Sequence, residues 1–260
     1  MLLFLYVPVI ILAVYSFTDA ANIGVIHGFS LENYKYLFTS PELLSMIGGT
    51  LLLAVGSAVL ATVLGTIGAI GAFYAKTRTG NCVNVVNQVP VVNADVVTGF
   101  SICILLIVVM GVDKDSYIPL VIGHVVLSAP FVYLSVMPKL KQMDNSIYEA
   151  ALDLGATPAQ ALFKVLVPLL MPGILSGFVM AVTLSLDDYF ISTYTKPATF
   201  DTISTYVVNA TKGSQTDVKT ALWALSTLIF LMVIALVVFM NLSSNKDVAR
   251  GKEGRRSDKI

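Results

Sequence analysis

The chain has 260 residues, 56% of them hydrophobic and 12% charged, with a mean hydropathy of +0.82. A soluble domain carries about a quarter charged residues, so the apolar excess is read as facing lipid. Lysine plus arginine balances aspartate plus glutamate at 16 each, which leaves no overall basic field for nucleic acid.

Apolar blocks long enough for a spanning helix, which needs about 20 residues, recur along the chain and predict an all-α polytopic membrane protein with six transmembrane helices. The first, Met1 to Phe17, lacks the basic n-region and cleavage site of a signal peptide, and reads as a short span or one with a trimmed start. The second, Leu43 to Tyr74, carries Gly48, Gly49, Gly56, Gly65, Gly68 and Gly71, small residues that permit close helix approach in lipid. The third, Val83 to Met110, is interrupted by Pro90, Asn93 and Asp95. The fourth, Tyr117 to Met137, contains Pro119, Pro130 and His124, the last read as a packed or hydrogen-bonded interior residue rather than a ligand. The fifth runs from Met171 to Tyr194 and the sixth from Ala221 to Leu242.

Between the fourth and fifth blocks lies Ser146 to Pro168, SIYEAALDLGATPAQALFKVLVP, which has helix signals but is not a span. Ser146 with Glu149, and Thr157 with Gln160, fit the capping-box pattern, and Pro158 suits a first helical position. Gly155 is placed to end the first helix in a left-handed conformation. The stretch therefore predicts a helix, a glycine turn and a second helix ending at Pro168, an elbow suited to contact another protein.

Positive charge orients the spans. Lys76, Arg78, Lys139, Lys141 and Lys164, with Lys246, Arg250, Lys252, Arg255, Arg256 and Lys259 of the tail, outweigh Lys35, Lys114, Lys196, Lys212 and Lys219 on the other side. Both termini and the elbow are thus predicted in the cytosol, and the basic tail 243–260 is read as a solvated end beside anionic lipid. His27 is assigned to the first outer loop and the sequon Asn209-Ala210-Thr211 to the outer side, the sequon being too short to decide anything by itself.

No G-x-x-x-x-G-K-[ST] loop cradles a nucleotide, and no Ser/His/Asp or Cys/His set points to catalysis. Cys82 and Cys103 lack metal-ligand spacing and need no function, so no metal or cofactor is expected. What remains is acidic groups at membrane depth: Asp95, Asp187 and Asp188. A carboxylate in hydrocarbon costs several kcal/mol, so such residues face a bundle interior or a watery path. Asp95 is placed nearer the midplane of the third block; Asp187, at ~1.5 Å rise per residue, lies roughly 24 Å into the fifth, in its outer part. Tyr189, Phe190 and Tyr194 add ring faces that attract cations. Carboxylates beside aromatic faces suit a cationic solute; hydrogen bonding to Ser185, Thr183 or a partner chain is the structural alternative.

The run EAALDLGATPAQALFKVLVP resembles the cytoplasmic EAA loop of ABC-importer permeases, whose pattern is EAA, three residues, Gly, nine residues, then Ile-x-Leu-Pro. Glu149, Ala150, Ala151, Gly155 and Pro168 match in register, with Val165 and Val167 in place of Ile and Leu. The following run, LMPGILSGFVMAVTLSLDDYFISTY, together with IGHVVLSAPFVYLSVMPKLKQMDNSIYEAA and ALWALSTL, is similar to spermidine/putrescine permeases of the PotC type. The outer loop KGSQTDVKTALWAL departs from that pattern in lacking a proline.

The resemblance implies a single ABC type-1 transmembrane domain over 1–260, with a core at about 43–242 and a coupling loop at 139–170. It implies a non-catalytic subunit that pairs with a second, PotB-like permease, two PotA-like ATPase subunits that bind the ATP, and a PotD-like solute-binding protein outside. The elbow residues Glu149, Ala150, Ala151, Gly155 and Pro168 would dock on the ATPase, while Asp187, Asp188, Tyr189 and Asp95 would line the solute path. The expected setting is a bacterial inner membrane. Two other classes fit the residues less fully: an ABC permease for another small solute, such as a metal ion or phosphonate, and a stand-alone secondary transporter. The latter would show an inverted repeat with two broken helices, which is not visible in the sequence.

Overall fold

The structure, a computed structural model, describes residues 2–18, 28–144, 146–212, 223–231, 234–235 and 238. Its regular elements among the described residues are helices, and the extended pairing among those residues is one antiparallel bridge between Thr18 and Phe29. His27, the loop after Lys212, most of the sixth block and the basic tail lie outside the described residues.

The helices are α1 (Leu2–Ser16), α2 (Glu32–Thr39), α3 (Pro41–Tyr74), α4 (Thr77–Val92), α5 (Asp95–Cys103), α6 (Ile118–Gln142), α7 (Ser146–Asp153), α8 (Pro158–Ala161), α9 (Val167–Asp187), α10 (Phe190–Thr195) and α11 (Ile203–Lys212). Residues 223–231 of the sixth block are also helical. Among the described residues, α3, α6 and the continuous run Pro158–Asp187 are long and apolar enough to cross a bilayer. The helical runs Thr77–Val92 and Asp95–Val109 make a fourth such segment if taken together, but they are bent by 104°.

That bend falls where the third block is interrupted by Pro90, Asn93 and Asp95. Pro90 sits in the last turn of α4, where it withdraws one N–H from the ladder, and Asn93 and Ala94 are extended. The Asn93 amide then donates to the Thr98 hydroxyl at 3.0 Å and holds the start of α5. Asp95 is the first residue of α5 and is exposed at the bend.

The chain divides into two compact units, Leu52–Thr199 and the combination of Met1–Leu51 with Phe200–Ile260. In the second of these, Leu37, Leu43, Met46, Ile203 and Leu225 form the core. Thr50 accepts from the Ile203 N–H at 3.1 Å and so satisfies an orphan donor at the start of α11. The sequon residue Asn209 falls on α11, at an exposed helical position.

The unit Leu52–Thr199 is held by small residues. A Cβ at Gly177 would lie 3.0 Å from the Val132 Cα, and one at Gly173 would lie 3.0 Å from the Ser135 carbonyl, so α9 lies flat on α6. On another side Gly65 of α3 meets Ala129 and Val132, each at 2.7 Å from its would-be Cβ. The other glycines of the second block divide: Gly48, Gly56 and Gly71 face open space, whereas Gly49 meets the Phe200 ring. Glycine content overstated the number of close approaches, because only a glycine turned toward a neighbouring backbone brings two helices together.

Candidate functional site

The elbow forms much as its residues require. Gly155 has φ of +88°, the Ala156 N–H reaches the Ala151 carbonyl at 3.1 Å, and the Gly155 N–H reaches Leu152 at 2.9 Å. This pair of bonds is the Schellman arrangement, which needs a left-handed residue at its corner. At the start of α8 the Thr157 hydroxyl accepts from the Gln160 N–H at 3.3 Å and Gln160 Oε1 accepts from the Thr157 N–H at 3.1 Å. The capping box expected at Ser146 differs. Ser146 opens α7, and its N–H donates to Asp144 Oδ1 at 3.0 Å, so the capping carboxylate lies two residues earlier. Bonding from the Ser146 backbone and side chain holds the Asp144 carboxyl below the ordinary aspartate range.

The second elbow helix does not end at Pro168. The run passes through a π turn, Leu162–Leu166, and continues as α9. The wider turn lets the Val167 N–H bond Leu162, and Pro168, which has no N–H to place, follows at the second position of α9. Glu149, Ala150, Gly155 and Pro168 are exposed and Ala151 is half-buried. Leu154, 89% exposed, and Phe163, 67% exposed, leave apolar surface beside them. Tyr148 packs on Tyr74 with ring centroids 5.4 Å apart, tying α7 to the end of α3.

The aspartates of the fifth block lie at a second interruption. Asp187 is the last residue of α9, Asp188 is extended with ψ of 123°, and α10 starts at Phe190. The break has a local cause. Asp188 Oδ1 accepts from the Ile191 N–H at 3.1 Å, and Oδ2 accepts from the Ser192 N–H at 2.7 Å and its hydroxyl at 2.8 Å. A short carboxylate side chain thereby takes the N–H groups that would have continued α9. Asp188 is consequently buried, Asp187 is exposed and Tyr189 is half-buried against Phe190. The two aspartates are adjacent in sequence but do different things.

A buried polar chain extends from this break. α10 rests in a notch cut by two glycines: would-be Cβ atoms at Gly99 and Gly123 come within 3.0 and 2.5 Å of Ile191. This seating brings Ser192 over His124, whose Nε2 is 3.1 Å from the Ser192 hydroxyl and 3.7 Å from Asp188 Oδ2. On its other side His124 Nδ1 is 2.7 Å from the Ser185 hydroxyl, which is 3.2 Å from that of Ser57 on α3. His124 and Ser192 have no exposure. The Ser192 proton goes to Asp188, so its lone pairs are left for a proton on His124 Nε2. His124 is thus the hydrogen-bonded interior residue expected. Ser57 and Ser192 had no distinguishing signal, since a serine in an apolar helix normally bonds its own backbone.

The family of binding-protein-dependent transport system inner membrane components matches residues 61–249. The chain belongs to this family. The permease is 34% identical over 196 residues to the putrescine transport system permease protein PotI of Escherichia coli (strain K12), covering 74% of this chain and 70% of the relative. It is 29% identical over 253 residues to the spermidine/putrescine transport system permease protein PotC of the same strain, covering 96% and 93%. Among solved structures, a bacterial ABC transporter involved in the import of the acidic polysaccharide alginate superposes with a TM-score of 0.70 at 19% identity, covering 94% of this chain and 91% of that one. The inward-facing MetNI methionine ABC transporter gives 0.58 at 13% identity, covering 80% and 98%. The fold is that of type-1 ABC-transporter membrane subunits, and the chain is a permease subunit of an ABC importer. Two interrupted helices, one broken at Asn93–Ala94 and one at Asp188–Tyr189, thus occur inside an ABC permease.

Proposed function

We propose that this permease imports polyamines, spermidine or putrescine, in a bacterial inner membrane. The observation that carries the reading is the exposed Asp187 carboxylate at a helix break of a chain similar over 96% of its length to a spermidine/putrescine permease. Asp187 receives a solute ammonium briefly, with Tyr189 supplying a ring face. Asp188 adds buried negative charge behind them, and Asp95 at the other bend is a second acidic point on the path. Contacts are weak enough to release, since a tight site would stall transport.

The working assembly contains a second PotB-like permease, two PotA-like ATPases and a PotD-like receptor, and the chain crosses the membrane six times with both ends in the cytosol. Glu149, Ala150, Ala151, Gly155 and Pro168 belong to the coupling joint, where ATP-driven closure of the ATPase pair moves the elbow and opens the path outward. ATP hydrolysis belongs to the partner subunits. The test is uptake of radiolabelled spermidine and putrescine by cells that depend on this transporter. Asp187→Asn lowers uptake of both without changing the amount of assembled complex. Uptake equal to wild type removes Asp187 from the path, and a cognate receptor that captures another solute overturns the polyamine reading.

A further inference from the structure

His124 joins the two sides of the α9–α10 break. Its Nδ1 meets Ser185, two residues before the end of α9, at 2.7 Å, and its Nε2 meets Ser192 on α10 at 3.1 Å. The six residues between those serines include exposed Asp187, buried Asp188 and Tyr189. Imidazole is a rigid ring, so the separation of its nitrogens fixes the distance across the break more narrowly than a flexible side chain would. The ring itself is carried by α6, against which α9 lies flat through Gly173 and Gly177. Through Ser192 the same ring orders the hydroxyl that donates to Asp188 at 2.8 Å.

We propose that His124 is a positioning residue of solute passage: it staples α9 to α10 through Ser185 and Ser192 and thereby sets where Asp187 presents its charge. The inference rests on the reading of Asp187 as the group that meets the solute. His124 touches no solute. Its effect on transport passes through Asp187, and that dependence separates a positioning role from a contribution to general stability.

The experiment measures initial rates of radiolabelled spermidine uptake against concentration in the complete transporter, with the assembled complex quantified by co-purification. The variants are His124→Leu, His124→Gln, Ser192→Ala, Asp187→Asn and the double variant of His124→Leu with Asp187→Asn. His124→Leu lowers the maximal rate about tenfold, the scale expected when a charged group is displaced from its working position. The half-saturating concentration stays unchanged, because the receptor sets capture. His124→Gln recovers part of the rate, since its amide N–H reaches toward Ser192. The double variant is no slower than the slower single one, because removing the charge leaves nothing to position. Should His124→Leu fail to assemble, Ser192→Ala carries the test and lowers the maximal rate in the assembled transporter. Wild-type uptake in His124→Leu or in that assembled Ser192→Ala variant, with Asp187→Asn impaired, overturns the staple and leaves the Asp187 reading standing. Losses that multiply in the double variant overturn it as well. Wild-type uptake in Asp187→Asn instead overturns the underlying reading, and the positioning role with it.

Discussion

The corner residue of the elbow offers the cleanest perturbation, because nothing surrounds it. A Cβ at Gly155 would meet no atom within 4 Å, so a substitution there pays no steric toll against neighbours and acts through φ of +88° alone. For an ordinary L residue the left-handed region costs roughly 1–2 kcal/mol, which lowers the population of the Schellman geometry by a factor of about 5–30. A β-branched residue loses more, and asparagine less, since its side chain tolerates that region. The series Gly155→Asn, Gly155→Ala, Gly155→Val therefore uncouples transport from ATP hydrolysis in that order. Solute imported per ATP hydrolysed by the reconstituted transporter gives the functional ranking, and amide exchange in α7 gives the structural one. The two rankings agree if the turn transmits the stroke. Normal coupling in Gly155→Val with α7 protection lost would separate the turn from the coupling role, and normal protection would refute the backbone argument itself.

Other outcomes follow from the same geometry. Gly177→Leu forces a side chain into the Val132 backbone, whose Cα is 3.0 Å from the would-be Cβ. It destabilises the permease by about 1–3 kcal/mol or more, whereas Gly56→Ala, facing open space, leaves the unfolding temperature in detergent unchanged. The Asp144 carboxyl is held below its unfolded value, so its contribution to α7 is complete above the ordinary aspartate value of about 3.9 and is lost as pH falls through the lower folded value. Exchange protection in α7, corrected for intrinsic rates, stays flat from about pH 5 to 8 and falls only in acid; Asp144→Ala removes that acid step.

The elbow was almost fully legible because its signals are local. Gly155, Thr157 and Gln160 each act on backbone groups within a few residues, and those constraints hold in any tertiary setting. Two local readings shifted for equally local reasons. The Asp144 carboxylate takes the first N–H of α7, that of Ser146 itself, and a π turn carries the helix on through Pro168. The third block announced its bend through Pro90 and Asn93, but apolar content alone could not distinguish a straight span from one turned by 104°.

By itself the sequence determined an all-helical membrane chain, an elbow with its corner at Gly155, and a set of aspartates in apolar surroundings. Hydropathy and local capping signals are written along one chain, so one chain suffices to read them. Only the tertiary structure decided which aspartate faces outward. Asp187 and Asp188 are neighbours of identical chemistry, and what separates them is that the second captures the Ile191 and Ser192 N–H groups and lies beside His124. That arrangement depends on two glycines, Gly99 and Gly123, which let α10 sink until Ser192 meets a ring on another helix. A contact between residues 68 positions apart has no local signature, and so it appears only when the helices are packed.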